Sequence, residues 1–130
     1  MARVSAIVVD TSVWIAFFAG RETPRLEEAL EAGSIVTPPI VISELLSGVK
    51  PRARESILEL LGDLETAATP FSHWVAVGDL RLALQKRGLS VSSPDAHVAQ
   101  CALDRDALLL SQDAIFSKMS AFVPLRVAAG

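Results

Sequence analysis

A chain of 130 residues with 51% hydrophobic and 21% charged side chains is long enough to bury a core and too apolar to be intrinsically disordered. Its formal net charge of −3 argues against a protein that coats nucleic acid with a broad basic surface, although it does not exclude an enzyme that holds nucleic acid locally. We therefore expect a single domain over residues 1–130.

Cysteine content and hydropathy indicate the compartment. The one cysteine, Cys101, cannot form an intramolecular disulfide, which favours a reducing environment. The N-terminal apolar stretch stops at Asp10 and is too short for a signal peptide, and no later stretch approaches the ~20 residues that cross a bilayer. We therefore predict a soluble, cytoplasmic protein with no membrane partner.

Strand and helix patterns alternate along the chain, which is typical of an α/β fold with a parallel sheet. The predicted strands are short apolar runs, the third of them the weakest and the last an edge strand: 4–9, 34–37, 65–69, 107–110 and 123–127. The predicted helices begin near prolines or capping residues such as Ser12 and Ser93 and mostly end near glycines: 13–18, 24–33, 39–48, 51–64, 71–87, 94–105 and 115–119.

Three aspartates occupy places where α/β folds bind ligands. Asp10 comes directly after the first predicted strand, Asp113 follows the fourth, and Asp95 lies in the first turn of a helix. Ligands of open parallel sheets bind beyond the carboxyl ends of the strands, so all three could meet there. Glu44, in the helix after the second strand, could project into the same crevice.

Each acid also has a purely structural interpretation. Asp10 could begin a turn, Asp95 could complement a helix dipole for roughly 0.3–1 kcal/mol, and Asp113 could be an N-cap worth about 1 kcal/mol. Glu44 stands among apolar neighbours, where an unpaired buried carboxylate would be costly; either a surface position or a shared metal ion would remove that cost.

Clustered carboxylates without cysteine or histidine suit hard cations, so we predict Mg²⁺, with Mn²⁺ as a possible substitute. Such ions orient a water molecule for attack on phosphorus and stabilise the leaving oxygen, which is the chemistry of phosphodiester hydrolysis. No side-chain nucleophile is needed for this reaction.

Four segments carry a resemblance to the PIN-domain nucleases, and within them to the VapC-type toxins of prokaryotic toxin–antitoxin pairs. The run Ile7–Ile15, with Asp10-Thr11-Ser12 after an apolar strand, resembles the family's first motif and is the strongest match. The later motifs are matched in order and at plausible spacing by segments that cover nearly the whole chain: Pro39–Gly48 with Glu44, Ser93–Ala99 with Asp95, and Leu109–Asp113 with Phe116.

This resemblance implies a three-layer α/β/α PIN-like fold with a central parallel sheet of four to five strands. It implies a Mg²⁺-dependent endoribonuclease that is the toxin of a type II toxin–antitoxin pair, binds an antitoxin protein and forms a homodimer. By resemblance, Asp10, Glu44, Asp95 and Asp113 are the catalytic and metal-binding acids. Asp10 and Asp95 would bind the metal directly, and Glu44 and Asp113 directly or through water.

The resemblance also has limits. Ser12 and Ser111, by the same resemblance, would fix the hydration shell of the metal. The sequence departs from the family at Gln112, where many relatives have a basic residue, and at Ile115, where many have an acidic one. A PIN nuclease that processes RNA without a toxin role, or a non-catalytic PIN-like binding module, remains an alternative. A phosphoacceptor receiver domain would need paired acids early in the chain and a lysine after the last strand, and the sequence has neither.

The remaining residues of interest have mainly structural interpretations. We expect His73 and His97 to be structural or surface residues, Cys101 a small core residue, and Trp14 a core residue. We expect packing positions at Trp74, Leu82 and Leu84, and either core or contact surface at Phe17 and Phe18. A basic cluster could contact phosphates or could simply be a solvated helix start: Lys50, Arg52 and Arg54.

Overall fold

A parallel sheet of five strands runs through residues 5–130, the part of the chain that the computed structural model describes. In chain order the strands are β1 (Ile7–Val9), β2 (Ile35–Thr37), β3 (Glu65–Thr66), β4 (Leu108–Leu110) and β5 (Arg126–Ala128). Their order across the sheet is β3-β2-β1-β4-β5, and every neighbouring pair is parallel.

Helices connect the strands and cover both faces of the sheet, which confirms the predicted three-layer α/β/α fold. They are α1 (Thr11–Phe18), α2 (Pro24–Ala32), α3 (Pro39–Gly48), α4 (Pro51–Gly62), α5 (Phe71–Lys86), α6 (Ser93–Asp104) and α7 (Ala114–Met119). Within residues 5–130 we find no helix that is both long and apolar enough to cross a membrane.

The two central strands are apolar because they are covered on both faces. Val8 and Val9 of β1, and Leu109 of β4, have no solvent exposure, and Leu110 is 1% exposed. Trp14 of α1 is fully buried in the same core, as predicted, while Phe17 is half-buried and Phe18 is exposed beside it.

The sheet reverses its strand order between β1 and β4. The chain first builds outward through β2 and β3, then returns through α5 and α6 to place β4 on the other side of β1. The carboxyl ends of β1 and β4 lie side by side, since the backbone N–H of Asp10 donates to the carbonyl of Leu110 at 2.9 Å. This switch point is the place where open α/β sheets bind ligands.

Several predicted boundaries differ from the structure. Strand β1 begins at Ile7, and the predicted start at Val4 lies outside the described residues. Strand β3 has two residues rather than five. Strand β5 begins at Arg126 rather than Val123, because the backbone N–H of Val123 donates to the carbonyl of Met119 and prolongs the turn after α7.

Two helix caps and two packing positions were also predicted wrongly. Asp10 rather than Ser12 caps α1, and Ser92 rather than Ser93 caps α6, because α1 begins two residues and α6 one residue earlier than predicted. On α5, Leu84 is buried as predicted, but Trp74 is 49% and Leu82 52% exposed. The apolar residues of α5 are distributed around its whole circumference, so their spacing does not identify the buried face.

Candidate active site

Asp10 is the most strongly held carboxylate at the switch point. It follows β1, caps α1 and is 8% exposed. Its Oδ2 atom accepts hydrogen bonds from Ser12 Oγ at 2.7 Å, from Ser111 Oγ at 3.0 Å and, more weakly, from the backbone N–H of Ser12 at 3.4 Å. Among the described residues no protein donor reaches Oδ1, which leaves this oxygen free for an external ligand.

The two serine hydroxyls join the ends of β1 and β4. Each hydroxyl donates its hydrogen bond to Asp10 and accepts one from a backbone N–H group. Ser12 Oγ accepts from the N–H of Gln112 at 2.9 Å, and Ser111 Oγ accepts from the N–H of Asp113 at 3.0 Å. The Asp10 carboxylate is therefore fixed by the loop after β4 as well as by its own helix. The proposed role of both serines toward a hydration shell stays a prediction.

Asp113 follows β4 and caps α7, as its structural interpretation predicted. Its Oδ1 accepts from the backbone N–H of Ile115 at 3.1 Å, and its side chain is exposed. One carboxylate oxygen is enough for this cap, so capping and ligand binding are compatible in this residue.

Glu44 lies on the exposed side of α3, so its surface interpretation is correct. It is nevertheless tied to the switch point, because Thr11 Oγ1 donates to Glu44 Oε1 at 2.8 Å and Thr11 directly follows Asp10. Sequence reasoning missed Thr11 as a positioning residue. Its place between Asp10 and Ser12 in the first motif was the available signal.

Asp95 lies in the first turn of α6, half-buried, after the Ser92 cap. Burial raises the pKa of its carboxyl group, which the Ser92 hydroxyl partly offsets, and the negative charges of Asp113, Asp10 and Glu44 raise the pKa further. All three other predicted acids therefore lie close enough for electrostatic interaction with Asp95. The structure brings the four carboxylates to one edge of the sheet.

The donor set fits a hard divalent cation. It consists of carboxylate oxygens, which Mg²⁺ binds together with water. In the described part of the chain, no three of these acids bring their oxygens within 4.8 Å of one another, so the arrangement suits an ion that keeps several water ligands rather than a closed protein cage. The catalytic and metal-binding roles of the four acids stay predictions.

The hydrogen bonds of the two histidines in the described part of the chain go to each other and to Asp104 rather than to these four acids. His73 and His97 are 2% and 1% exposed and hydrogen-bond each other, so they are structural rather than surface residues. Cys101 is fully buried, as predicted. The basic residues Lys50, Arg52 and Arg54 are exposed at the start of α4, which leaves both of their interpretations open.

Comparisons with known proteins agree with the fold and with the order of the motifs. A family model described as the PIN domain matches residues 7–121. The curated protein Ribonuclease VapC5 of Mycobacterium tuberculosis is 31% identical in an alignment of 122 positions that covers 88% of this chain and 88% of that protein.

Solved structures share the fold. The crystal structure of VapBC2 from Rickettsia felis, bound to a DNA fragment from its promoter, has a TM-score of 0.78 at 20% identity and covers 96% of this chain and 98% of that one. VapBC-5 from Mycobacterium tuberculosis, a member of the VapBC family of toxin–antitoxin systems, has a TM-score of 0.69 at 24% identity, with 98% and 100% covered. On the match to residues 7–121 and the 31% identical relative, this chain belongs to the PIN domain family.

Proposed function

We propose that this PIN domain is a Mg²⁺-dependent endoribonuclease that hydrolyses RNA phosphodiester bonds and is the toxin of a type II toxin–antitoxin pair. The observation that carries the proposal is the free Oδ1 of Asp10 at the switch point, together with the electrostatic interaction of Asp95 with Asp10, Glu44 and Asp113. The 31% identical relative is a ribonuclease, which supports RNA as the substrate. PIN nucleases generally use a divalent metal.

Asp10 and Asp95 would hold the metal ion, and Glu44 and Asp113 would bind it directly or orient its water ligands. When bound, the ion would lower the pKa of the attacking water and stabilise the leaving oxygen. The protein positions the acids: Ser12 and Ser111 fix the Asp10 carboxylate, and Thr11 fixes Glu44. The ion would also offset the repulsion that opposes ionisation of Asp95.

The antitoxin and a second copy of the chain are the proposed protein partners. Structures of similar fold were solved as VapBC complexes, which supports an antitoxin partner. Large apolar side chains exposed on α1 and α5 offer contact surface for both: Ile15, Phe18, Phe71 and Trp74.

Substitution of Asp10 by asparagine tests the metal mechanism. We expect Asp10→Asn to lower the rate of RNA cleavage by more than about 100-fold, since loss of a neighbour that merely orients a ligand already costs about 10–100-fold. Excess chelator should abolish cleavage by the unchanged protein, and Mg²⁺ should restore it. The measurement is the initial rate of cleavage of a labelled RNA.

The matched control is Asp63→Asn, which changes an exposed aspartate just before β3. This residue lies at the amino ends of the parallel strands, whereas Asp10 lies at their carboxyl ends. Its cleavage rate should equal that of the unchanged protein. Cleavage that survives both the chelator and the Asp10→Asn substitution would refute the metal mechanism.

Ser111 tests whether the hydroxyl network positions Asp10. Ser111→Ala removes a donor to a buried carboxylate and should lower the free energy of unfolding by about 1–3 kcal/mol. It should also raise the Mg²⁺ concentration that gives half-maximal cleavage, by about 10–100-fold. Ser47→Ala, an exposed serine of α3 that donates only to the backbone of Glu44, should change neither quantity. Equal effects of the two substitutions would show that Ser111 is no positioning residue.

The toxin role is tested in a bacterial host. Induced expression of the chain should arrest growth, expression of the Asp10→Asn variant should not, and co-expression of a small protein encoded beside the gene should relieve the arrest. Normal growth with soluble protein that cleaves RNA in vitro would contradict the toxin role and support the RNA-processing alternative. Soluble protein without cleavage would support a binding module.

A further inference from the structure

A second cluster of potential metal ligands lies between α5 and α6. One ligand atom each of His73, His97 and Cys101 falls within 4.8 Å of the others, and all three residues are buried. His97 and Cys101 are four residues apart and therefore on one face of α6, while His73 comes from α5. Among the described residues, these are the three histidine, cysteine or acidic side chains whose ligand atoms lie this close together.

Hydrogen bonds fix the orientation of His73. Its Nδ1 lies 2.7 Å from Asp104 Oδ2, and Gln100 Nε2 donates to Asp104 Oδ1 at 2.8 Å. Burial raises the pKa of Asp104, but hydrogen bonds from His73 and Gln100 and the charges of His73 and Arg105 outweigh it and lower that pKa, so the carboxylate is ionised and His73 Nδ1 is the donor. In the neutral form of His73 the lone pair then lies on Nε2, where it accepts the Nδ1–H of His97 at 2.8 Å.

The Asp104–His73 hydrogen bond matches the carboxylate–histidine pair that is common at metal sites, where the histidine binds the ion. A ligating histidine usually donates its other ring N–H to a carboxylate, which sets its tautomer and orientation. The ring of Trp74 stacks on His97, with centroids 4.7 Å apart and planes 8° from parallel, and so fixes the second imidazole as well. Burial, with a smaller effect of His73, lowers the pKa of His97 to about 4, and a neutral imidazole is the form that binds metals.

The ligand atoms would have to shift to take up tetrahedral positions around an ion. His73 Nε2 and His97 Nδ1 are 2.8 Å apart, and Cys101 Sγ is 4.0 Å from His97 Nδ1. Two nitrogens at 2.0–2.1 Å from a tetrahedral ion are about 3.3 Å apart, so the imidazoles need to separate by about half an ångström. His73 and Asp104 line a surface cavity of about 530 Å³, whereas His97 and Cys101 lie buried behind them.

We propose that His73 Nε2, His97 Nδ1 and Cys101 Sγ bind a Zn²⁺ ion that joins α5 to α6, with a water molecule as fourth ligand. Imidazole and thiolate ligands favour Zn²⁺ over Mg²⁺, so this site is chemically distinct from the carboxylates at the sheet edge. Binding releases the thiol proton of Cys101 to solvent as the Zn–S bond forms, and the proton of His97 moves from Nδ1 to Nε2. The ion would brace the helix that carries Asp95.

Cobalt substitution tests the site directly. Tag-free, chelator-treated protein titrated with Co²⁺ should give a near-ultraviolet thiolate-to-cobalt charge-transfer band that saturates at one equivalent and disappears when Zn²⁺ is added. Because Cys101 is the one cysteine of the chain, such a band can report only this residue. Excess Mg²⁺ should leave the band unchanged.

Variants separate the Zn²⁺ site from the proposed active site and from a folding defect. Cys101→Ala should remove the band, and Asp104→Asn should weaken Zn²⁺ binding by about 10–100-fold. Asp106→Asn, the matched control, changes an aspartate that is 96% exposed and should bind Zn²⁺ normally, as should Asp10→Asn. Circular dichroism verifies that each variant is folded. Absence of the band in folded wild-type protein would overturn the proposal whether or not the protein cleaves RNA, and so would equal Zn²⁺ affinities of Asp104→Asn and Asp106→Asn.

Discussion

Repulsion between carboxylates that share one sheet edge is the constraint on which the rest of this site depends. Asp95 experiences the charges of Asp10, Glu44 and Asp113, and its pKa is raised by burial and by those charges. A sequence selected for stability alone would not gather these groups. The fold tolerates them because Asp10 is held by two hydroxyls and because Glu44 and Asp113 remain exposed to solvent.

Capping and metal binding are compatible in these residues rather than competing interpretations. Asp10 caps α1 through Oδ2 and keeps Oδ1 free, and Asp113 caps α7 with one oxygen. A carboxylate at a helix start after a parallel strand therefore serves local structure and also faces the crevice at the switch point. The hydroxyls of Ser12 and Ser111 then join two strand ends that are about 100 residues apart in sequence.

Much of the fold could be predicted from the sequence, since central strands such as Ile7–Val9 and Leu108–Leu110 are continuous apolar runs between helices. The short strand Glu65–Thr66 carries no such pattern, and its backbone pairing with Thr37 is a tertiary contact. The buried face of α5 could not be predicted either, because apolar residues occur on every side of that helix. The cluster of His73, His97 and Cys101 depends on packing between two helices, which residue spacing along either helix does not reveal.

The chemistry proposed for this site depends on one assignment, that the carboxylates at the end of β1 hold a divalent cation. Its most direct test is a crystal structure of the protein with Mn²⁺, using the anomalous signal of the ion to locate it. We expect an anomalous peak within coordination distance of Asp10 Oδ1 and on the side facing Asp95. Full Mn²⁺ saturation without a peak beside Asp10 would contradict it.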